Sequence, residues 1–540
     1  MSHQSDNVDA PDPGSGGDGL SPRMRTFSLL IGLAAFFGIL LAPTPDSLTI
    51  EGQRLAAVTA LMALYWVLQP IPIAATSLIP MALYPLMGIL AAPDVCRVYA
   101  DPNVFLYLGG FMIAIAIERW NLHRRIALHV ISFVGSSPRR IIFGFMLTTA
   151  LLSMWISNTA SSLLMLPIGL ALVSTLQDAL KETNPFEADR VAGKMTVPLL
   201  LGIAYAASIG GVATLIGTPT NLSLRGFWER IYVPQGYSPL SFAEWMVMFF
   251  PLALLMLIAA AVVMTWNLKP FPQSEQLSRS FFRDRLKQLG KPSGAEWRVL
   301  AVFTITALLW ILREPLIIGD WTLLPSWPGM VATVTARFGV TTDYLTETIH
   351  DSTIGVAMAL ILFVLPGEKD ASGERPRLLN WNIAERNIPW GMLLLFGGGF
   401  TMAEAFKATA LSDWVGARFS DVFAGQSLIV LVLGVCFLLT FLTEFTSNTA
   451  TINTLLPILG AMAVELSLDP RWLAIPATVS ASFAFMFPVG TPPNAIIFGS
   501  GKVPMQAMIR YGFVLNLLGA LFTALFMRFL GPSVLHVPLP

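Results

Sequence analysis

Charge is scarce in this chain. Of 540 residues, only 12% are Asp, Glu, Lys or Arg, about half the share of a soluble domain. Neither sign is in excess: 33 basic and 33 acidic residues give a formal net charge of zero. That removes the electrostatic case for nucleic acid as a partner. Cysteine is nearly absent. Cys96 and Cys436 lie in or beside apolar segments, so neither a Cys-based metal site nor a disulfide framework is expected. No His, Cys and carboxylate cluster has ligand or nucleophile spacing, and an enzyme is not expected. The chain is apolar instead: 54% of it is hydrophobic, including 35 Phe. A soluble fold cannot bury that much, so the sequence reads as an all-α polytopic membrane protein.

Residues 1–22 are rich in Gly, Ser, Asp and Pro and read as a disordered tail. The first apolar run, 27–43, has no convincing small-residue cleavage site after it and reads as a span, not a signal peptide. Further runs lie at 53–69, 73–92, 104–120, 196–229, 243–267, 299–318, 348–365, 390–408, 472–500 and 510–530. Each can cross roughly 30 Å of hydrocarbon as a helix, which predicts about eleven transmembrane helices. Two more apolar regions, 139–178 and 423–466, do not fit as simple spans and are read as re-entrant helical hairpins. With the amino terminus cytoplasmic, 22 of the 33 Lys and Arg fall on the inner side, and only Arg97, Arg337 and Arg418 fall in outer loops. That bias supports a multi-pass protein of the inner (plasma) membrane in this orientation, with 532–540 as an external tail. The basic stretch 268–298 reads as a cytoplasmic linker between a first half, 23–267, and a second, 299–531.

The two halves resemble each other. Leu108-Gly109-Gly110-Phe111 returns as Gly397-Gly398-Gly399-Phe400, and Ser157-Asn158-Thr159-Ala160 returns as Ser447-Asn448-Thr449-Ala450, at offsets of 289 and 290. Gly217-Thr218-Pro219-Thr220-Asn221 returns as Gly490-Thr491-Pro492-Pro493-Asn494 at offset 273. In the span order above, 104–120 and 390–408 run in opposite directions. The repeat is inverted, as in secondary transporters that bind cargo near the bilayer midplane.

Residues 141–156 form an apolar arm about 24 Å long if helical, too short to cross and return at ease. It ends in Ser157, Asn158 and Thr159. A helix starting there leaves free N–H groups at the tip, which favour an anion, while side-chain oxygens and carbonyls can hold a hard cation such as Na⁺. Ser447, Asn448 and Thr449 offer the mirrored tip. The Gly-Thr-Pro motifs break the runs 196–229 and 472–500, since Gly admits unusual backbone and Pro removes a donor. Such backbone survives at membrane depth only in a protein interior or a wet cavity. Singly, each motif could be no more than close helix packing; two symmetric pairs point to one site. No Lys or Arg lies within the motifs. Glu444 is either a functional carboxylate or a structural one satisfied by hairpin backbone donors. Glu404 and Lys407, spaced i, i+3, are expected to pair, and His350-Asp351 to mark a helix start.

At these motifs the sequence resembles the divalent anion:sodium symporter family of di- and tricarboxylate and sulfate transporters. The resemblance covers nearly all of 25–531 and is strongest in Thr443–Ala450 and in Ser482–Ile497, where Ile497 replaces the usual Val. It implies an elevator-type homodimer in the lipid bilayer and a small anionic substrate co-transported with Na⁺, with no other cofactor. One sodium site would use Ser153, Ser157, Asn158 and Gly217, and the other Thr443, Thr446, Asn448 and Gly490. Thr446 and Gly490 stand at positions that vary in the family. Substrate would touch Ser157, Asn158, Thr159, Thr218, Ser447, Asn448, Thr449, Thr491 and Pro492. Thr220 departs from the family, where a second Pro is common. A C4-dicarboxylate such as succinate, malate or fumarate is the expected cargo; a dicarboxylate exchanger, or a citrate or sulfate symporter, is the alternative.

Overall fold

Small polar residues followed by proline set where the helices begin. Asp101 precedes Pro102–Arg119 and accepts from the Asn103 amide at 2.8 Å; Ser137 precedes Pro138–Ser153. Thr218 precedes Pro219–Ile231 and Thr491 precedes Pro492–Gly499. A capping oxygen and a proline at the first helical position both fit a turn whose N–H groups have no partner in the helix. The computed structural model describes residues 21–539 except 135–136, 182–184, 267, 269–273, 319–320, 336–340, 370–372 and 424. Most of the expected amino-terminal tail, together with Arg337, therefore lies outside the described residues.

Among the described residues, seven helices are long and apolar enough to cross a membrane, by length and composition. The regions 139–178 and 423–466 each fold as two helices joined by a few residues: Pro138–Ser153 with Asn158–Lys181, and Leu428–Leu442 with Asn448–Glu465. Both Gly-Thr-Pro runs are broken as expected, Pro185–Val212 giving way to Pro219–Ile231, and Arg471–Ala481 to Pro492–Gly499. The repeat is visible in element order. Pro102–Arg119 and Leu122–Val134 lead to the first hairpin as Trp390–Ala408 and Leu411–Phe423 lead to the second.

The main hydrophobic cluster surrounds the end of Pro185–Val212, where Leu199, Leu200, Leu201, Ile203, Ala204 and Tyr205 are all fully buried. A smaller cluster packs Ile50–Leu68 against Trp390–Ala408. Close backbone contact explains part of the Gly-Gly-Phe repeat. A methyl added to Gly109 would stand 2.6 Å from the Gly355 carbonyl carbon, so Pro102–Arg119 and Asp351–Val364 cross main chain to main chain.

Two sequence expectations change, and one segment gains an element. Run 73–92 is not one helix but Ile73–Thr76 and Ile79–Leu86, then Ala92–Tyr99, because prolines and glycines interrupt it. Run 299–318 stops at Ile311; Arg313, Glu314 and Pro315 end it, and Leu316–Ile318 pairs antiparallel with Trp321–Leu324, a small β-ribbon in a helical protein. The linker 268–298 contains the helix Ser274–Leu289, which turns Phe282 onto Phe145 of the first hairpin.

The ionic pairing also differs. Glu404 does not pair with Lys407 but approaches Arg230 at 3.9 Å. Arg230 also pairs with Asp101. Fully buried Arg225 reaches Glu229 at 2.8 Å and Asp351 at 2.7 Å, and Arg313 takes the other Asp351 oxygen at 2.8 Å. His350 does mark a helix start, accepting from the Ser352 amide at 3.1 Å; its Nε2 then donates to Glu229 at 3.3 Å. This network ties the helix Pro219–Ile231 to Pro102–Arg119, Asp351–Val364 and Trp390–Ala408.

Candidate functional site

Each broken helix packs on the hairpin of the other half. Pro219–Ile231 lies against Asn448–Glu465, and Pro492–Gly499 against Asn158–Lys181. Within each half the tip and the break are close: the Asn158 amide lies 3.2 Å from the Gly217 carbonyl, and Gly490 sits beside Glu444, so the starts at Asn158 and Pro219, and at Asn448 and Pro492, belong to paired elements. Each start carries about half a positive charge from its free N–H groups. The motifs contain no Lys or Arg, so these ends are the positive potential that the motifs themselves supply. Ser157 and Pro492 are exposed, Asn158, Thr159, Ser447 and Asn448 are half-buried, and Thr218, Thr449 and Thr491 are buried. Ser157 accepts from the Ala160 amide at 3.1 Å, a side-chain cap that fixes the first tip.

In the first cation group, Ser153 donates to the Ala207 carbonyl at 2.7 Å. The Asn158 amide nitrogen donates to Ser153 Oγ at 2.5 Å and to the Gly217 and Ala207 carbonyls, both at 3.2 Å. The hydroxyl and the two carbonyls are hard oxygen donors, the type a hard cation coordinates. Ser153, Asn158 and Gly217 are thus brought together, and the Ala207 carbonyl joins them without having been expected. Ser157 is adjacent but spends its oxygen on the cap.

The second group is less assembled. Thr443 donates to the Leu439 carbonyl at 2.8 Å, and Thr446 bonds the Leu442 carbonyl at 3.0 Å and Thr451 at 2.7 Å. Asn448 Oδ1 is buried without a hydrogen-bond partner. Gly490 sits beside Glu444, where an added methyl would stand 3.1 Å from Oε2. The structure brings neither Thr443 nor Thr446 into hydrogen-bond contact with Asn448.

Glu444 is fully buried and accepts from the Phe485, Met486 and Phe487 amides at 2.7, 2.8 and 3.0 Å and from Asn516 at 2.6 Å. Its oxygens are satisfied by protein donors, which belong to the second break and to Asn516 rather than to the hairpin. The carboxylate thereby holds an unwound segment whose N–H groups no helix satisfies.

Two further residues lay inside the quoted motifs without a role. Asn221 donates to the carbonyls of Gly211, Val212 and Thr214, the last at 2.8 Å. Asn494 donates to those of Ala484 at 3.0 Å and Phe487 at 3.1 Å. Each carboxamide reaches ten and seven residues back across its break. Their matched places five positions into Gly-Thr-Pro-X-Asn were the signal available. Thr214 adds a bond from its hydroxyl to the Met154 carbonyl at 2.6 Å, fastening the first break to the first hairpin.

Residues 23–536 match the profile of the sodium:sulfate symporter transmembrane region. The chain belongs to that family. It is accordingly a multi-pass membrane protein of a transporter family. It is 37% identical over 522 residues to a sodium-dependent dicarboxylate transporter of Staphylococcus saprophyticus, covering 95% of this chain and 93% of that one. To the protein of the same description from Staphylococcus aureus it is 38% identical over 525 residues, covering 96% and 94%. In fold this family member is similar to the YdaH transporter of Alcanivorax borkumensis, with a TM-score of 0.52 at 14% identity over 98% of this chain and all of that one. MtrF of Neisseria gonorrhoeae aligns with a TM-score of 0.51 at 15% identity, covering 98% of each chain.

Proposed function

We propose that this family member is a sodium-coupled symporter that imports a divalent anion, with a C4-dicarboxylate as preferred cargo. The observation that carries the reading is the convergence of the Ser153 hydroxyl and the Gly217 and Ala207 carbonyls on the Asn158 carboxamide at a helix start. There a cation and an anion can be held side by side. The sodium-dependent dicarboxylate transporters that share more than a third of its residues point the same way.

In this reading Ser157–Thr159 and Ser447–Thr449 give a donor cluster at each hairpin tip, with Thr218, Thr491 and Pro492 between them. A dianion with a carboxylate at either end uses both clusters. Citrate brings a third carboxylate that no motif Lys or Arg can neutralise, and sulfate is too small to span both tips. Ser153, Ser157, Asn158 and Gly217 bind one Na⁺; Thr443, Thr446, Asn448 and Gly490 bind another. The hairpins and broken helices form a transport domain that moves as an elevator against the remaining helices, in a homodimer of the plasma membrane with its amino terminus inside.

Uptake of labelled succinate into proteoliposomes is expected to require an inward Na⁺ gradient. Equal rates in choline and sodium buffers, with no effect of membrane potential, would rule out coupling. In the same assay malate and fumarate are expected to compete strongly. Potent inhibition by sulfate with none by malate or fumarate would overturn the preference for C4-dicarboxylates.

A further inference from the structure

Thr220 and Ser482 belong to neither cation group and to no substrate contact named above. Their hydroxyls lie 2.8 Å apart, and the residues are 1% and 2% exposed. Among the described residues this is the one side-chain hydrogen bond between the two broken helices. Buried this deeply, neither hydroxyl can trade its partner for water, so the bond holds the two elements in one relative position.

The repeat does not require this bond. At offset 273, the counterparts of Ser482 and Thr220 are Ile209 and Pro493, and no hydrogen bond is possible between those side chains. One half has gained a hydroxyl where the other keeps a proline. The pair is a local addition on an otherwise symmetric frame.

Its position gives it reach in both directions. Thr220 stands three residues after Gly217, whose carbonyl lies 3.2 Å from the Asn158 amide group. Ser482 stands three residues before Phe485, the first of three successive amides that grip Glu444. Glu444 in turn abuts Gly490 and is four residues from Asn448. A short path of peptide and hydrogen bonds thus joins one cation group to the other, with Thr220–Ser482 as its middle link.

We propose that Thr220 and Ser482 are positioning residues that couple the two sodium sites, so that filling one raises the affinity of the other. The inference rests on the symport reading given above. Coupling between two sites is a free energy shared by both, and for linked sites it typically changes affinity about fivefold or more. A cation at Asn158 orders the Gly217 turn, and the hydroxyl pair passes that order to the segment bearing Gly490.

The test is the Na⁺ dependence of succinate uptake by the full-length protein in proteoliposomes. Wild type is expected to respond sigmoidally. Thr220→Val and Ser482→Ala are each expected to lower the Hill coefficient toward one and to raise half-saturating Na⁺ about fivefold. The double variant should be no worse than either single one, since both remove the same bond. Thr220→Ser keeps the hydroxyl and should restore cooperativity. If the variants melt earlier but keep the wild-type Hill coefficient, the bond is only structural and the inference fails. Strictly additive single and double effects overturn it as well. A wild-type protein indifferent to Na⁺ would sink the symport reading and this inference together; a sigmoidal wild type with equally sigmoidal variants sinks this inference alone.

Discussion

Asn158→Ala is expected to reduce uptake at least a hundredfold while leaving the protein folded, and Asn448→Ala is expected to do the same. At Asn158, the carboxamide lies within 3.2 Å of the Ser153, Ala207 and Gly217 oxygens at the first turn of Asn158–Lys181. In the proposed reading, removing it takes a ligand from the cation and a neighbour from the anion in one step. Ala is a good helix residue there, and the tip keeps its Ser157 cap. Asn448 makes the case from the other side. Its Oδ1 is buried without a partner, a state that normally costs free energy and calls for an occupant. Truncating it should therefore cost no stability. Uptake assays beside size-exclusion profiles decide the matter: wild-type transport by either variant shows that the assigned site is wrong.

The second large effect is expected at Glu444. Its carboxylate takes three successive main-chain N–H groups and the Asn516 amide. Glu444→Ala strands the Met486 and Phe487 amides and the Asn516 NH₂ group, at about 1–3 kcal/mol each, while the Phe485 amide keeps Asn516 Oδ1 at 3.3 Å. The sum is comparable with the whole stability of many folded proteins, so this variant is expected to be recovered in poor yield. Glu444→Gln is the more informative change. It preserves size but turns an NH₂ group toward one of those donors, and it removes the negative charge. A melting temperature in detergent several degrees below wild type is expected, with weakened Na⁺ dependence, because Gly490 abuts Glu444 and Phe487 of the same segment. Wild-type melting together with wild-type uptake in Glu444→Gln would refute the bracing role.

Much of this arrangement is legible in the sequence because it depends on local spacing. Ser157 and Ser447 stand immediately before the second arms of their hairpins, and Pro219 and Pro492 open the helices after the breaks. Apolar arms of fixed length, a small polar cap and a following proline are all short-range features. What could not be read were partners distant in the chain. The i, i+3 spacing of Glu404 and Lys407 suggested a pair, but Arg230, far away in sequence, lies near Glu404 instead. Glu444 draws its amides from more than forty residues away, and Thr220 meets Ser482 across 262 positions. Local rules also misjudged 299–318, where three residues with two charges and a proline outweighed the apolar run on either side.

The bracing of the breaks has a consequence for how cargo is selected. Asn221, Asn494, Thr214 and Glu444 together engage main-chain groups at 211, 212, 214, 484–487 and 154. An unwound stretch stitched at so many points has no slack with which to mould itself to whatever enters. In the proposed reading, discrimination then works as a gauge works, by the separation between two fixed ends. An anion a methylene too short leaves one end unfilled, and one too long does not seat. A stiff gauge does not flex at the gap, and in the proposed elevator motion it is carried across whole.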